Sequence, residues 1–193
     1  MPRASVTDAL RTAEQIRASA ESLFAREGFA QVALEDVASD AGVTRGAVYH
    51  HYRNRAGLFH AVAAHLQSRV AEAVVEAAEQ AGADPFRQLS AGSHAFLDAI
   101  TSASAARILL VDAPAALGWG EWRRLDAEHA GAHLSDALTA AGVPEGRREA
   151  IAAGLSGAMN ELALWVSRSS GASTAREQAH AALDELLRGV EAG

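Results

Sequence analysis

The chain is predicted to be all-α, with about nine helices. Three observations carry that prediction. Apolar residues recur at spacings of three and four along most of the 193 residues, whereas few segments alternate with period two. Helix-starting residues (Thr44, Asn54, Asp84-Pro85, Pro144) and helix-stopping glycines (Gly28, Gly42, Gly82, Gly142) sit at the edges of those periodic stretches. With 49% hydrophobic residues the chain can bury a sizeable core, which argues against disorder.

The first helix carries Ala13, Ile16, Ala20, Leu23 and Phe24 on one stripe, with Thr7 as its expected cap and Gly28 as its end. LEDVASDA forms a short second helix that Gly42 breaks. A third starts after Thr44, whose hydroxyl suits an N-cap. Asn54 caps a long fourth helix that runs to about Ala81. Asp84-Pro85 opens the fifth, because proline suits the first helical turn. Ala113-Pro114, Gly118 and Gly120 interrupt the chain, and a helix with Trp122, Leu125, His129, Leu134 and Leu138 then runs toward Gly142. Pro144 opens the next, whose Ile151, Leu155, Met159, Leu162 and Val166 share a face. Thr174 and Glu177 fit a capping box for the last helix, with its stripe of Leu183, Leu186, Leu187 and Val190.

Composition removes several classes of function. No apolar run approaches the ~20 residues that cross a bilayer, and MPRASVTDALRTAEQIR lacks the apolar segment of a secretory signal, so a cytoplasmic protein with no membrane partner is expected. Zero cysteines exclude disulfide frameworks, thiolate zinc sites and cysteine nucleophiles. All 17 cationic residues are arginine, so any phosphate contact uses a guanidinium fork. The net charge of −7 is uneven: residues 1–60 hold seven arginines against seven acids, residues 61–193 ten against seventeen.

Residues 41–60, AGVTRGAVYHHYRNRAGLFH, contain three arginines, three histidines and two tyrosines but no carboxylate. Two short helices joined through Ala41-Gly42-Val43 match a helix-turn-helix, with Ala38, Val43 and Val48 packing them at a steep angle. On the second of these helices Thr44, Arg45, Tyr49 and His50 can reach a duplex, and Gly46 permits close backbone approach. Carboxylates there would meet phosphates at close range. Arg53 and Arg55, beside the N-terminus of the fourth helix, add charge and free N–H groups suited to phosphate. Taken singly, the tyrosines could be core aromatics and the arginines a solvated face; Tyr52 is expected to be buried. His50 and His51 point about 100° apart and make a poor metal pair.

GFAQVALEDVASDAGVTRGAVYHHYRNRAGLF resembles the helix-turn-helix of the TetR (tetracycline-repressor-like) family of bacterial regulators, and IRASAESLFAREGF resembles its first helix. The resemblance covers about residues 10–60. It implies a homodimeric repressor whose two recognition helices enter successive major grooves of a palindromic double-stranded operator, with a small-molecule effector in the C-terminal domain changing their separation. The family's contact positions fall on Thr44, Arg45, Gly46, Tyr49, His50 and Arg55: Arg45 toward a base edge, Tyr49 and His50 toward phosphate, Arg55 as backbone anchor. The implied division is a DNA-binding domain at 1–54 and a ligand-binding and dimerisation domain at 55–193, with the fourth helix as connector. Val32 and Ala33 stand where the family commonly has a threonine or serine cap, a loss that Glu35 and Asp36 offset through the helix dipole. Gly57 weakens the start of the fourth helix.

The second domain offers less. Phe96, Trp119, Trp122, His129, Asn160 and Trp165 are candidate ligand contacts, with core packing as the plain alternative. Asp126, His129 and His133 share one helical face and would make the alternative of a metal-binding sensor or small helical enzyme. No G-x-S-x-G elbow, phosphate loop or dinucleotide fingerprint is present, so no enzyme and no cofactor is expected. An interaction module with a vestigial DNA head is the remaining alternative. The last two helices carry more apolar stripe than a small domain covers, which predicts a four-helix dimer interface centred on Leu155, Met159, Leu162, Leu183, Leu186 and Leu187.

Overall fold

A computed structural model of the protein describes residues 6–102 and 104–191, with the side chains of His129 and Ala130 outside the described set. Among the described residues there are ten α-helices and no strand. The helices are α1 (Val6–Glu27), α2 (Leu34–Asp40), α3 (Arg45–Tyr52), α4 (Arg55–Gln80), α5 (Pro85–Ile100), α6 (Ala113–Leu117), α7 (Trp119–Asp126), α8 (Ala132–Ala140), α9 (Glu145–Arg168) and α10 (Ala172–Glu191). Two π-helical stretches, Ala106–Asp112 and Ala127–Gly131, lead into α6 and α8.

The first three helices close around one another because each buries a single apolar edge. Ile16, Ala20, Leu23 and Phe24 of α1, Val37 and Ala38 of α2, and Val48 of α3 meet in the core. Phe59 of α4 joins them, edge-on to Phe24 at 5.2 Å between ring centroids and 4.6 Å from Phe29. The opening turns of α4 therefore belong to the head, while its later turns pack along α5 in the most extensive helix pair of the molecule. Thr7 lies inside α1 and is not its cap. Tyr52 is half-buried, with its hydroxyl donating to the Ala13 carbonyl at 2.7 Å. Burial raises its phenol above the usual range, against a smaller opposing effect of Arg17.

Asn54 Oδ1 caps α4 from the Gly57 N–H at 2.8 Å, and Asp84 Oδ1 caps α5 from the Arg87 N–H at 2.9 Å, with Pro85 in the first turn. Ala113-Pro114 does not break the chain as expected. The Ala113 N–H donates five residues back to the Ile108 carbonyl, and this wider turn accommodates a proline that lacks an N–H and whose ring crowds an α-helical carbonyl. The last helix begins at Ala172, which places Thr174 within its first turn rather than at its cap.

The stripe of α10 is covered from within the chain. Ala175, Ala179, Leu183 and Leu187 are buried, and α10 packs on α9 and α5. A polar clasp adds to that contact: His94 of α5 and His180 of α10 meet Nδ1 to Nδ1 at 2.6 Å, with nearly parallel rings. Their Nε2 atoms donate to Asp184 and Asp98, each at 2.8 Å. Arg176 also grips Asp98, at 2.6 Å. Burial pushes the Asp98 carboxyl up, but Arg176 and His180 outweigh it and hold it below its usual value.

Candidate recognition surface and effector cavity

Thr44 ends the turn and starts α3: its Oγ1 accepts from the Ala47 N–H at 3.2 Å. Gly42 makes the preceding turn at φ +65°, a conformation side-chain-bearing residues rarely adopt. Val48 is the buried residue of α3, so Thr44, Arg45, Gly46, Tyr49 and His50 all lie exposed on the outer side. A Cβ placed on Gly46 would meet only Thr44 Oγ1, at 3.7 Å, so the backbone is open to an approaching surface. α2 starts without a side-chain cap on Ala33, as the sequence suggests, but Asp36 Oδ2 accepts from the Ala33 N–H at 3.0 Å. That is a direct bond as well as a dipole effect.

Arg45 is held on two sides. Its Nη1 lies 2.7 Å from Glu35 Oε1, its Nη2 donates to Tyr49 Oη at 3.2 Å, and its guanidinium carbon sits 5.2 Å from the Tyr49 ring centroid. The Tyr49 hydrogen bond and then the Glu35 charge raise its basicity further. Arg55 is placed differently from expectation. Its Nη1 donates to the Ala30 and Val32 carbonyls at 3.2 and 3.3 Å, and its guanidinium lies over Phe29 at 4.6 Å. It ties α4 to the loop between α1 and α2.

The corner between α3 and α4 explains Gly57. Arg53 is the one positive-φ residue other than glycine among the described residues (φ +65°), and the Asn54 N–H closes a tight turn onto the Tyr52 carbonyl at 2.7 Å. A Cβ on Gly57 would strike that same carbonyl. The glycine that weakens the start of α4 is what lets α3 and α4 meet.

A cavity of about 190 Å³ lies between α4, α5, α8 and α9. Val74, Leu89, Phe96, Leu134 and Met159 give it a mostly apolar wall, with Ser93, Asp126 and His133 among its polar members. Of the predicted ligand contacts, Phe96 lines it. Trp119 is 67% exposed and Trp165 42% exposed, while Trp122 and Asn160 are buried elsewhere in the core. The side chain of His129 lies outside the described residues. Asp126 is buried and accepts from Arg123 at 3.4 Å, and His133 is exposed at the cavity's edge. Among the described residues no three His, Asp or Glu side chains converge for a metal.

The predicted dimer face also divides. Leu155, Met159, Leu183 and Leu187 are buried in the chain's own core, Leu162 is half-buried, and Leu186 is 43% exposed. Apolar stripe length could not separate these, because both surfaces of a bundle helix are apolar where it meets two neighbours.

Contacts between the two halves involve residues that sequence reasoning did not single out. Arg107 in the first π-helical stretch donates to the Arg26 carbonyl at 2.9 Å at the end of α1, and Asp112 accepts from the Phe29 N–H at 3.0 Å. Gly28, at φ +90°, leaves room for that guanidinium, which a Cβ would strike. His60 of α4 meets Glu121 of α7 at 3.1 Å, and Arg124 grips the same carboxylate at 2.6 Å.

Two family models match this arrangement: bacterial regulatory proteins of the tetR family over residues 16–62, and the tetracyclin repressor-like C-terminal domain over residues 86–190. The chain belongs to the TetR family. The family models describe bacterial regulators, and the curated relatives matched are transcriptional regulators. It is 44% identical over 62 residues to the HTH-type transcriptional regulator TtgR of Pseudomonas putida, covering 32% of this chain and 30% of that one. It is 32% identical over 89 residues to the HTH-type transcriptional regulator AcrR of Shigella flexneri, covering 46% and 41%. The chain thus spans less than half the length of these curated relatives. A crystal structure of a TetR-family transcriptional regulator from Pectobacterium atrosepticum superposes with a TM-score of 0.75 at 28% identity, over 96% of this chain and 97% of the other. Among the described residues no helix of this TetR-family protein is long and apolar enough to cross a membrane.

Proposed function

We propose that this TetR-family regulator binds a palindromic double-stranded operator as a homodimer, represses transcription there, and is released by a small, mostly apolar effector. Residues 1–54 read the DNA and residues 55–193 sense the effector and pair the subunits, with α4 as the shared connector whose opening turns, through Leu58 and Phe59, pack with the head. The observation that carries the reading is the outer side of α3: Thr44, Arg45, Gly46, Tyr49 and His50 are exposed together, with no carboxylate in the helix, above a single buried valine. Arg45 is the base reader, and Tyr49 and His50 lie toward the backbone. Arg55 acts from behind, by fixing the loop between α1 and α2.

The cavity's volume, about 190 Å³, is of the size that holds a one- or two-ring molecule, since a void of roughly 150 Å³ admits benzene. Leu89, Phe96, Leu134 and Met159 grip the apolar body, and the lining also offers polar groups such as Gln88, Ser93, Asp126 and His133. Pairing uses the exposed Trp165 and Leu186 with the half-buried Leu162, rather than the four leucine and methionine side chains that the chain's own core consumes. The Arg107 and Asp112 bonds to the end of α1 carry a change of shape from the sensing half to the head. An effector that binds better when the heads are badly spaced lowers DNA affinity by linkage.

The test is fluorescence anisotropy with the DNA upstream of the protein's own gene, across a salt series. Binding with a salt-dependent affinity is expected, and Arg45→Ala relaxes base preference by about 1–3 kcal/mol. A monomer by light scattering at micromolar concentration, or equal affinity for upstream and scrambled DNA, defeats the reading.

A further inference from the structure

Glu35 stands on α2, outside the recognition helix, yet its carboxylate is the closest charged partner of the residue best placed to read a base. The Glu35–Arg45 ion pair is 2.7 Å long with both side chains more than half exposed, 53% and 58%. Exposed pairs of this kind contribute little to folding stability. What the pair does is geometric. An arginine side chain has several rotatable bonds and sweeps a wide volume; here Glu35 takes Nη1, Tyr49 Oη takes Nη2 at 3.2 Å, and the Tyr49 ring stands beside the guanidinium carbon. The backbone of Glu35 is fixed, because it lies in the first turn of a helix whose start is locked by the Asp36 bond to the Ala33 N–H.

Among the described residues the guanidinium, with five N–H groups, has an ion pair to Glu35 and a hydrogen bond to Tyr49, which together leave donors for a ligand. The carboxylate also offsets the charge of Arg45. A compensated arginine attracts phosphate less and releases fewer counterions, so it adds little to sequence-independent affinity. Held in one orientation, it retains the paired donors that match the O6 and N7 acceptors of guanine.

We propose that Glu35 is a positioning residue that, together with Tyr49, presents Arg45 to a guanine edge and withholds it from the phosphate backbone, so that it sets sequence discrimination rather than affinity. The proposal rests on the reading of α3 as the recognition helix. It differs from a structural role for Glu35, which would alter stability and leave base preference unchanged. It also differs from simple repulsion of DNA by an acid, which would change affinity for all sequences alike.

The experiment is selection of binding sites from a random-sequence duplex pool by the full chain, wild type and the variants Glu35→Gln, Glu35→Ala and Arg45→Ala. Salt dependence is then measured on the selected site and on a scrambled duplex, and thermal unfolding is followed in parallel. The wild type is expected to return a two-fold-symmetric motif with a guanine in each half-site that Arg45→Ala loses. Glu35→Ala loses preference at that same position and keeps the others, with the ratio of selected to scrambled affinity falling about tenfold. Glu35→Gln, which keeps an acceptor for Arg45 but frees its charge, retains part of that preference. It binds scrambled DNA more tightly, with a salt slope steeper by about 0.9 per subunit. Unfolding temperatures stay close to wild type.

A Glu35→Ala motif identical to that of the wild type overturns the proposal. So does a uniform change at every position, or a loss of preference that tracks a loss of thermal stability. If the wild type selects no symmetric motif at all, what fails is the recognition-helix reading beneath it.

Discussion

The N-terminal head and the C-terminal half, for which an effector-sensing role is proposed, are both built from amphipathic helices, but they treat their polar groups and their voids differently. In the head, α3 and α4 are capped by side chains, three phenylalanine rings interlock, and the sharp turns at Gly42 and Arg53 are held by backbone bonds. In the sensing half, two helices pass through π-helical stretches and a cavity of about 190 Å³ interrupts the core. The four buried side-chain atoms without a hydrogen-bond partner among the described residues all lie beyond residue 54: Gln67 Oε1, Trp122 Nε1, Arg148 Nε and Asn160 Oδ1. The head is built to keep one shape. The other half is packed less completely, and local openings cost least where packing is incomplete.

A matched pair of substitutions breaks or upholds that contrast most directly. Leu58→Ala, at a fully buried site in the head, is expected to cost about 4–5 kcal/mol, and Leu89→Ala, in the cavity wall, about 2–3 kcal/mol, because fewer packing contacts are lost beside an existing void. Urea unfolding of both variants measures the difference, and equal costs would remove the contrast. Next in size is Arg107→Ala, which strips the end of α1 of its side-chain partner across the two halves. It should lower stability by about 1–2 kcal/mol and leave DNA binding unresponsive to effector, measured by anisotropy with and without a cavity-binding compound.

Tyr52→Phe sharpens the comparison within the head. Loss of the bond to the Ala13 carbonyl should cost about 1 kcal/mol by the same urea measurement, with the ring packing kept. The smallest effect concerns pH. Arg124, and then His60, hold Glu121 down at about 2, against 4.5 in its unperturbed state. A lowered carboxyl stabilises the folded chain fully above the unfolded value, and that contribution fades as pH falls from 4.5 through about 2. Thermal melts of Glu121→Gln should therefore show a shallower acid limb across that window than the wild type, with a small deficit that is greatest at pH 7 and vanishes as pH nears 2.

What could be read in advance followed physical locality. The helices of the head, the caps on Thr44, Asn54 and Asp84, and the outward set on α3 depend on neighbours within a few residues, and they stand where the residues indicated. What could not be read in advance comes from contacts distant in sequence. Nothing near Arg55 announces that its partners are carbonyls at 30 and 32, and Leu183 and Leu187 look the same whether α5 or a second subunit covers them. Trp119 and Trp165 drew attention by size, whereas the cavity is lined by ordinary core residues such as Val74 and Leu89. Pro114 looked like a break because the compensating turn comes before it, with a hydrogen-bonding pattern that leaves no compositional mark.

The π-helical stretches imply one more property of the sensing half. Each winds about one more residue into a turn than the helix it joins, so removing one residue there restores the tighter winding and leaves the following side chains facing nearly as before, whereas the same deletion in a regular α-helix swings them by roughly 100°. Loss of a single residue within these stretches is thus taken up locally, with the cavity lining kept in place. The head, whose α2 and α3 are seven and eight residues long, has no spare turn in which to absorb such a change.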